Sequence, residues 1–154
     1  MANNPVKWSA YTAAKAALFA VGGLKNLATA AYAISADAID NAAGDQYADL
    51  EMLADIATQS TAGGYFAVWF VLALDATNYE SIVSGSIAPA RPADVIIPIV
   101  SQTGDSQRVV IKRVCWPQGL FKVLVQNNTG QTTTNTDSLT QLYYRSYNDN
   151  LVTA

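Results

Sequence analysis

The 154-residue chain contains no histidine. This removes the commonest general base, the commonest metal ligand and every nucleophile that an imidazole would activate. A single cysteine, Cys115, leaves no intrachain disulfide and no cysteine-built zinc site. Its neighbours Val114 and Trp116 place it on a strand, where a buried, inert thiol is expected. Charge is scarce as well: Asp, Glu, Lys and Arg make up 14% of the residues, against about 25% in an ordinary soluble domain. The net charge of −3 disfavours unspecific attraction to nucleic acid or anionic lipid. No apolar run is long enough for a membrane span. The stretch 16–24 is bounded by Lys15 and Lys25 and falls far short of roughly 20 residues. Neither a signal peptide nor a membrane anchor is expected from it.

What the chain has in excess is alanine, and unevenly: nineteen of the first 64 residues against seven of the last 90. The later part is a series of β-branched and aromatic segments cut by turn residues. Tyr65 to Leu74 is an unbroken apolar run, as in a strand covered on both faces. Asp94 to Ser101, with Pro98, reads as a strand near an edge. Gln107 to Cys115, Leu120 to Gln126 and Leu139 to Tyr147 follow, separated by Trp116-Pro117-Gln118-Gly119 and a long polar loop from Asn127 to Ser138. Earlier, Ala30 to Ala36 reads as a first strand and Asp40 to Asp45 as a loop. Tyr47 to Ile56 fits either period; alternation of Ala48, Leu50, Met52, Ala54 and Ile56 with Tyr47, Asp49, Glu51 and Asp55 favours a half-exposed strand. This spacing predicts an all-β protein, a single jelly-roll-like β-sandwich over residues 27–154. Residues 1–26 form an Ala-rich N-terminal arm or short helix: Trp8, Tyr11, Lys15, Leu18 and Phe19 fit a helical period that Gly22-Gly23 would end.

Few residues suggest chemistry. Gly104-Asp105-Ser106 is a plain turn, because the serine chemistry it superficially resembles needs a histidine. Asp49 and Glu51, two apart on a strand, have a spacing compatible with glycoside hydrolysis, yet any solvent-facing strand produces it. Asp37, Asp40, Asp45 and Asp49 are too dispersed for a calcium loop. Arg108 and Lys112 share one strand face and Arg113 the other. An interface pair with Asp49 or Glu51 of another copy is a plausible use for them, an ordinary sheet surface a plainer one. Asn127-Asn128-Thr129 matches a glycosylation sequon. No catalytic residue, metal site or cofactor is expected. Trp8, Tyr11, Leu18 and Phe19 are candidate anchors for an arm gripping a neighbour, and Tyr143, Arg145 and Tyr147 candidate interface residues on the last strand.

Several segments in order resemble a family of small tailed-bacteriophage virion structural proteins. They are Ala36-Asp37-Ala38-Ile39-Asp40-Asn41, Tyr47-Ala48-Asp49-Leu50-Glu51, Ser60-Thr61-Ala62-Gly63-Gly64-Tyr65, Asp75-Ala76-Thr77-Asn78-Tyr79, the run Pro117 to Asn127, and Leu142-Tyr143-Tyr144-Arg145-Ser146-Tyr147-Asn148. The resemblance covers roughly residues 27–150. It implies a β-sandwich component of a phage particle, located in the virion, and brings no catalytic residue. A capsid decoration (cement) protein is the leading expectation, with the major capsid protein and further copies of itself as partners. The alternatives are a neck, tail or head-fibre accessory protein, or a carbohydrate-binding module for host attachment. Neither nucleic acid nor membrane is expected as a partner.

Overall fold

The alternation in Tyr47–Ala54 is realised residue by residue: Ala48, Leu50, Met52 and Ala54 are fully buried, and the residues between them are half-exposed. A strand with one wet face needs a second layer against the other, and the chain supplies it. The computed structural model describes residues 7–8, 14–56, 61–75, 77–80, 89–101, 106–137, 139–148 and 151–152, of which 7, 8, 151 and 152 only as backbone.

The strands are β1 (Lys7–Trp8), β2 (Ala16–Ala17), β3 (Tyr32–Ile34), β4 (Ile39–Asn41), β5 (Tyr47–Ala54), β6 (Tyr65–Leu72), β7 (Val95–Pro98), β8 (Gln107–Cys115), β9 (Gly119–Asn128), β10 (Gln141–Tyr147) and β11 (Leu151–Val152). One sheet has the order β2-β10-β5-β8; the other has β3-β9-β6-β7, with β4 also on β9. All pairings are antiparallel. They are also nested: β6 pairs β7, β5 pairs β8, β3 and β4 pair β9, β2 pairs β10 and β1 pairs β11. Each joins a strand before residue 73 to one after residue 94. The protein is a β-sandwich, as the turn spacing predicts, and the described residues include no helix.

The inter-sheet core takes Leu50, Met52 and Leu142 from one sheet and Phe66, Val68, Phe70, Ile97, Phe121, Val123 and Val125 from the other. Its aromatic end is tight. Trp116 meets Phe121 edge-on at 4.9 Å, and Tyr144 stacks on Trp116 at 4.9 Å and 19°, geometries that suit the ring quadrupoles. β6 is apolar throughout because both its faces are covered. Ala67, Trp69 and Val71 form a second cluster with Leu124 on the sheet's other side, flanked by Tyr32, Ile34, Tyr79 and Ala93. Residues 89–94 form a strap over that cluster, pinned by Arg91. Its carbonyl accepts from Trp69 Nε1 (3.2 Å), and its guanidinium donates to Phe70 O, Glu80 and Asp94. Asp94 in turn accepts from Phe70 N at 2.7 Å. Two carboxylates raise the guanidinium's proton affinity further above its already high value.

The N-terminal expectation needs correction. Residues 14–26 are neither helix nor detached arm. Ala16–Ala17 adds an edge strand to β10, Leu18 N donates to Leu142 O, and Leu18, Phe19 and Leu24 enter the inter-sheet core. The apolar stretch between Lys15 and Gly22 is too short to sustain a helix alone, so sheet pairing and core burial decide its conformation. No break in packing falls at residue 26. The polar loop after β9 holds this segment down: Thr133 Oγ1 donates to Leu24 O and accepts from Leu27 N, and Asn127 Nδ2 donates to Leu27 O and Gln131 O. Asn127 is therefore fully buried, which closes the sequon asparagine to a glycan in the folded chain. Asp40–Asn41, read as loop, belongs to β4, a short edge piece set off from β3 by buried Ser35.

Candidate interaction surface

Alternation places Tyr47, Asp49 and Glu51 on the outer face of the four-stranded sheet. The β10 register sets Tyr147, Arg145 and Tyr143 directly opposite them. β8 then adds Val110 opposite Glu51 and Arg108 opposite Leu53. Lys15, just before β2, reaches across the same face. Its Nζ donates to Glu51 Oε1 at 2.5 Å and sits 4.0 Å from the centre of the Tyr143 ring. Arg108 Nε lies 3.7 Å from the same Glu51 oxygen.

β8 carries a bulge where it passes Ala48–Leu50 of β5. Lys112 and Arg113 both fall at Asp49, and Arg113 takes a positive φ of 57°, a conformation that costs a non-glycine residue energy. Its N–H donates to the Asp49 carboxylate at 2.9 Å. The bulge also re-aims the side chain: the guanidinium lies 4.6 Å from the centre of the Tyr47 ring, on the face that carries Arg108. Simple alternation assigns Arg113 to the opposite face; the extra residue reverses that. Tyr147 stands against Tyr47 at 6.0 Å, with its hydroxyl 3.4 Å from Asp49 as donor. The face thus gathers Lys15, Arg108, Lys112, Arg113 and Arg145 around two carboxylates. It is basic in an acidic chain.

The face therefore unites three groups that the sequence offers separately: the Asp49/Glu51 pair, the Arg108/Lys112/Arg113 cluster and the C-terminal tyrosines. Glu51 is engaged by two cations, and Asp49 by an amide and a hydroxyl. Both basic partners of Glu51, Lys15 and Arg108, come from its own chain. Asp55 lies away from this face, where it accepts from Thr134 Oγ1.

A second feature runs along the side of the sandwich where β7 and β8 end their sheets. It is a groove of about 740 Å³, with Phe70, Leu72, Ile96, Ile111 and Trp116 in its walls and Arg91, Asp94, Lys112 and Arg113 at its rim. Leu72 and Ile96 are about half-exposed, at 47% and 49%. Cys115 also lines it and is exposed. The expected buried thiol is thus overturned: Val114 takes the inward register opposite Ala48, which turns Cys115 outward opposite Tyr47.

Of the residues singled out by sequence, Tyr143, Arg145 and Tyr147 share the outer face. Leu18 and Phe19, expected to grip a neighbour, are each 5% exposed and spend their apolar area inside the chain's own core. Trp8 lies in β1, paired with Leu151, and its side chain is outside the described residues, as is all of Tyr11. Gly104 and Asp105 also lie outside them. Among the described residues no group of acidic or sulfur side chains has metal-site geometry, and no helix is long and apolar enough to cross a membrane. Sequence reading misses Lys15 as part of the face, since nothing local links it to Glu51. It misses Leu72 and Ile96 as groove walls, since apolar strand residues look alike whether covered or not. No protein-family model, curated protein or solved structure matches the chain.

Proposed function

We propose that the chain is a non-enzymatic structural protein of a bacteriophage particle, most simply a capsid decoration (cement) protein. One observation carries the reading beyond the sequence resemblance: the nested strand pairing. A chain folded back on itself near the β6–β7 connection and rolled into a four-stranded and a five-stranded sheet is what a jelly roll would give, an arrangement used by viral capsid and lectin domains and by cupins. The cupin branch normally works through histidine-bound metal, and this chain has no histidine. The lectin branch needs an open aromatic platform, whereas Lys15 covers the Tyr143 ring and Tyr47 crowds Tyr147. What remains is a surface fitted for protein contact: a basic, tyrosine-bearing sheet face beside an apolar groove. Burying such area against the major capsid protein would stabilise a particle at roughly 25 cal/mol per Å² before association costs, and repeated copies would add avidity.

The test is quantitative mass spectrometry of purified particles, followed by heat challenge of particles with and without the protein. A cement protein gives a copy number comparable with that of the capsid protein and a lower disruption temperature when absent. A low copy number moves the protein to the neck, tail or a fibre. Absence from particles, with glycan binding lost on Tyr143→Ala, would favour the carbohydrate-binding alternative.

A further inference from the structure

Charge is divided unevenly over the two sheets. The outer face of β2, β10, β5 and β8 carries Lys15, Arg108, Lys112, Arg113 and Arg145, with Asp49 and Glu51 the carboxylates among them. Five cations against two carboxylates leave three net positive charges on this face. The whole chain totals −3, so everything else shares six net negative charges. The excess does not hang on Arg113, whose guanidinium is already held against the Tyr47 ring: with it set aside, four cations still face two carboxylates. Within the face lies a notch of about 240 Å³, lined by Lys15, Lys112, Arg145, Tyr143 and Val110 together with Asp49 and Glu51. That is smaller than the roughly 300–1,000 Å³ of a small-molecule pocket and suits single side chains. Val110 is 47% exposed there, an apolar spot ringed by charge.

We propose that this face docks on an acidic surface of a different protein, whose Asp or Glu side chains enter the notch while an apolar neighbour covers Val110. An apolar centre inside a polar, charged rim is the anatomy of a protein contact, and positive potential meeting negative gives such a contact its register. Nucleic acid fits less well. Single strands want open rings to stack on, whereas Lys15 lies over Tyr143, Arg113 over Tyr47, and Tyr147 against Tyr47. A duplex or an anionic membrane would also meet the net negative charge of the remaining surface. A second copy fits less well too. Face to face, it sets positive on positive. Its own carboxylates are dispersed: among the described residues Glu80 and Asp94 bind Arg91, Asp137 binds Lys25, and Asp75 is hydrogen-bonded within its own turn. The exposed pair Asp37 and Asp40 offers two charges to five. The inference rests on the reading of the chain as a structural protein that docks on another, and it names the chemistry of that partner.

The test is fluorescence anisotropy of the purified full chain with a labelled glutamate-rich peptide carrying a central leucine, beside a labelled oligothymidylate of equal charge. The peptide binds more tightly than the thymidylate and loses affinity as salt rises. Lys112→Glu, at an exposed position, weakens peptide binding by at least about tenfold. Lys112→Gln weakens it by a smaller factor and stands in should the reversal change the circular dichroism. Lys122→Glu makes the same charge change on the other sheet and leaves binding as it is. Arg113→Gly separates binding from folding. Glycine takes the bulge's φ of 57° without strain, so the melting temperature holds while affinity falls at least about threefold. Tighter binding of the thymidylate, equal losses in Lys112→Glu and Lys122→Glu, undiminished affinity in Arg113→Gly, or a wild-type self-association in sedimentation velocity that Lys112→Glu abolishes overturns the proposal. Particles that contain the protein, when the purified chain ignores the peptide, sink this inference alone. Peptide binding by a chain that is absent from particles sinks the virion reading alone.

Discussion

Asn127 Nδ2 donates a 2.7 Å hydrogen bond to the carbonyl of Leu27, a hundred residues earlier in the chain. The same side chain donates to Gln131 O and accepts from the N–H and hydroxyl of Thr129. One buried amide thus ties the loop after β9 to the segment that leads into β3. Asn127→Ala strands several buried polar groups, each costing about 1–3 kcal/mol. The expected loss is about 3 kcal/mol, a fall in melting temperature of roughly 10 °C, read by calorimetry. Asn127→Asp keeps the acceptor but sets a carboxylate oxygen against the Leu27 and Gln131 carbonyls in a buried site, and is expected to cost at least as much as Asn127→Ala.

Arg91 holds the strap over Trp69 by a fork that lysine cannot copy. Its Nε and Nη2 reach the two oxygens of Glu80, and Nη1 reaches Asp94. Arg91→Lys keeps the charge and loses the planar geometry, at a cost of about 1–2 kcal/mol. Because Trp69 Nε1 donates to the Arg91 carbonyl, a loosened strap also shifts tryptophan emission to the red. An unchanged emission spectrum in Arg91→Ala would show that the strap is held by other contacts.

The exposed Cys115 thiol is expected to react with a small disulfide reagent in the native protein, one equivalent per chain, without denaturant. Reaction seen only after unfolding would return it to the interior. Blocking it with a bulky maleimide fills part of the groove beside Trp116 and is expected to weaken any association through that side.

Asp75 accepts hydrogen bonds from the N–H and hydroxyl of Thr77 and from the N–H and side-chain amide of Asn78, all within 2.9 Å. The Asn78 amide, foremost, and these other donors hold its carboxyl well below the ordinary carboxylate range. A carboxyl with a lowered native pKa stabilises the fold above its unfolded value, and the contribution drains as pH falls through that value toward the native one. The wild type should therefore lose stability faster than Asp75→Asn between about pH 4 and pH 2. Parallel acid limbs for the two proteins would remove the linkage.

The strands of this fold are legible because their side chains carry local patterns. Tyr47–Ala54 alternates, Tyr65–Leu72 is apolar without interruption, and Leu139 to Tyr147 places Tyr143, Arg145 and Tyr147 on one face. What escapes reading depends on distant chain. Ala16–Ala17 is a strand only because β10 offers it an edge, and Leu18 and Phe19 look the same whether they fill their own core or a neighbour's. Cys115 and Arg113 are misassigned for related reasons. Cys115's direction is set by register with Tyr47, and Arg113's by a bulge that no sequence period announces. The surface emerges only when three separated groups are laid side by side by the sheet.

The nested pairing has a consequence for how the protein is made. No strand among β1 to β6 pairs with another of that set; each waits for a partner beyond residue 94. On a ribosome that delivers the chain from its N-terminus, the first half emerges with all of its backbone pairing still to come. Folding is then expected to start with β6 and β7, the pair with the shortest intervening loop, and to zip outward to β1 and β11, each pair bringing the next within reach. Synthesis of most of the chain must precede its order, so the apolar run of β6 waits uncovered until β7 and β9 have been made.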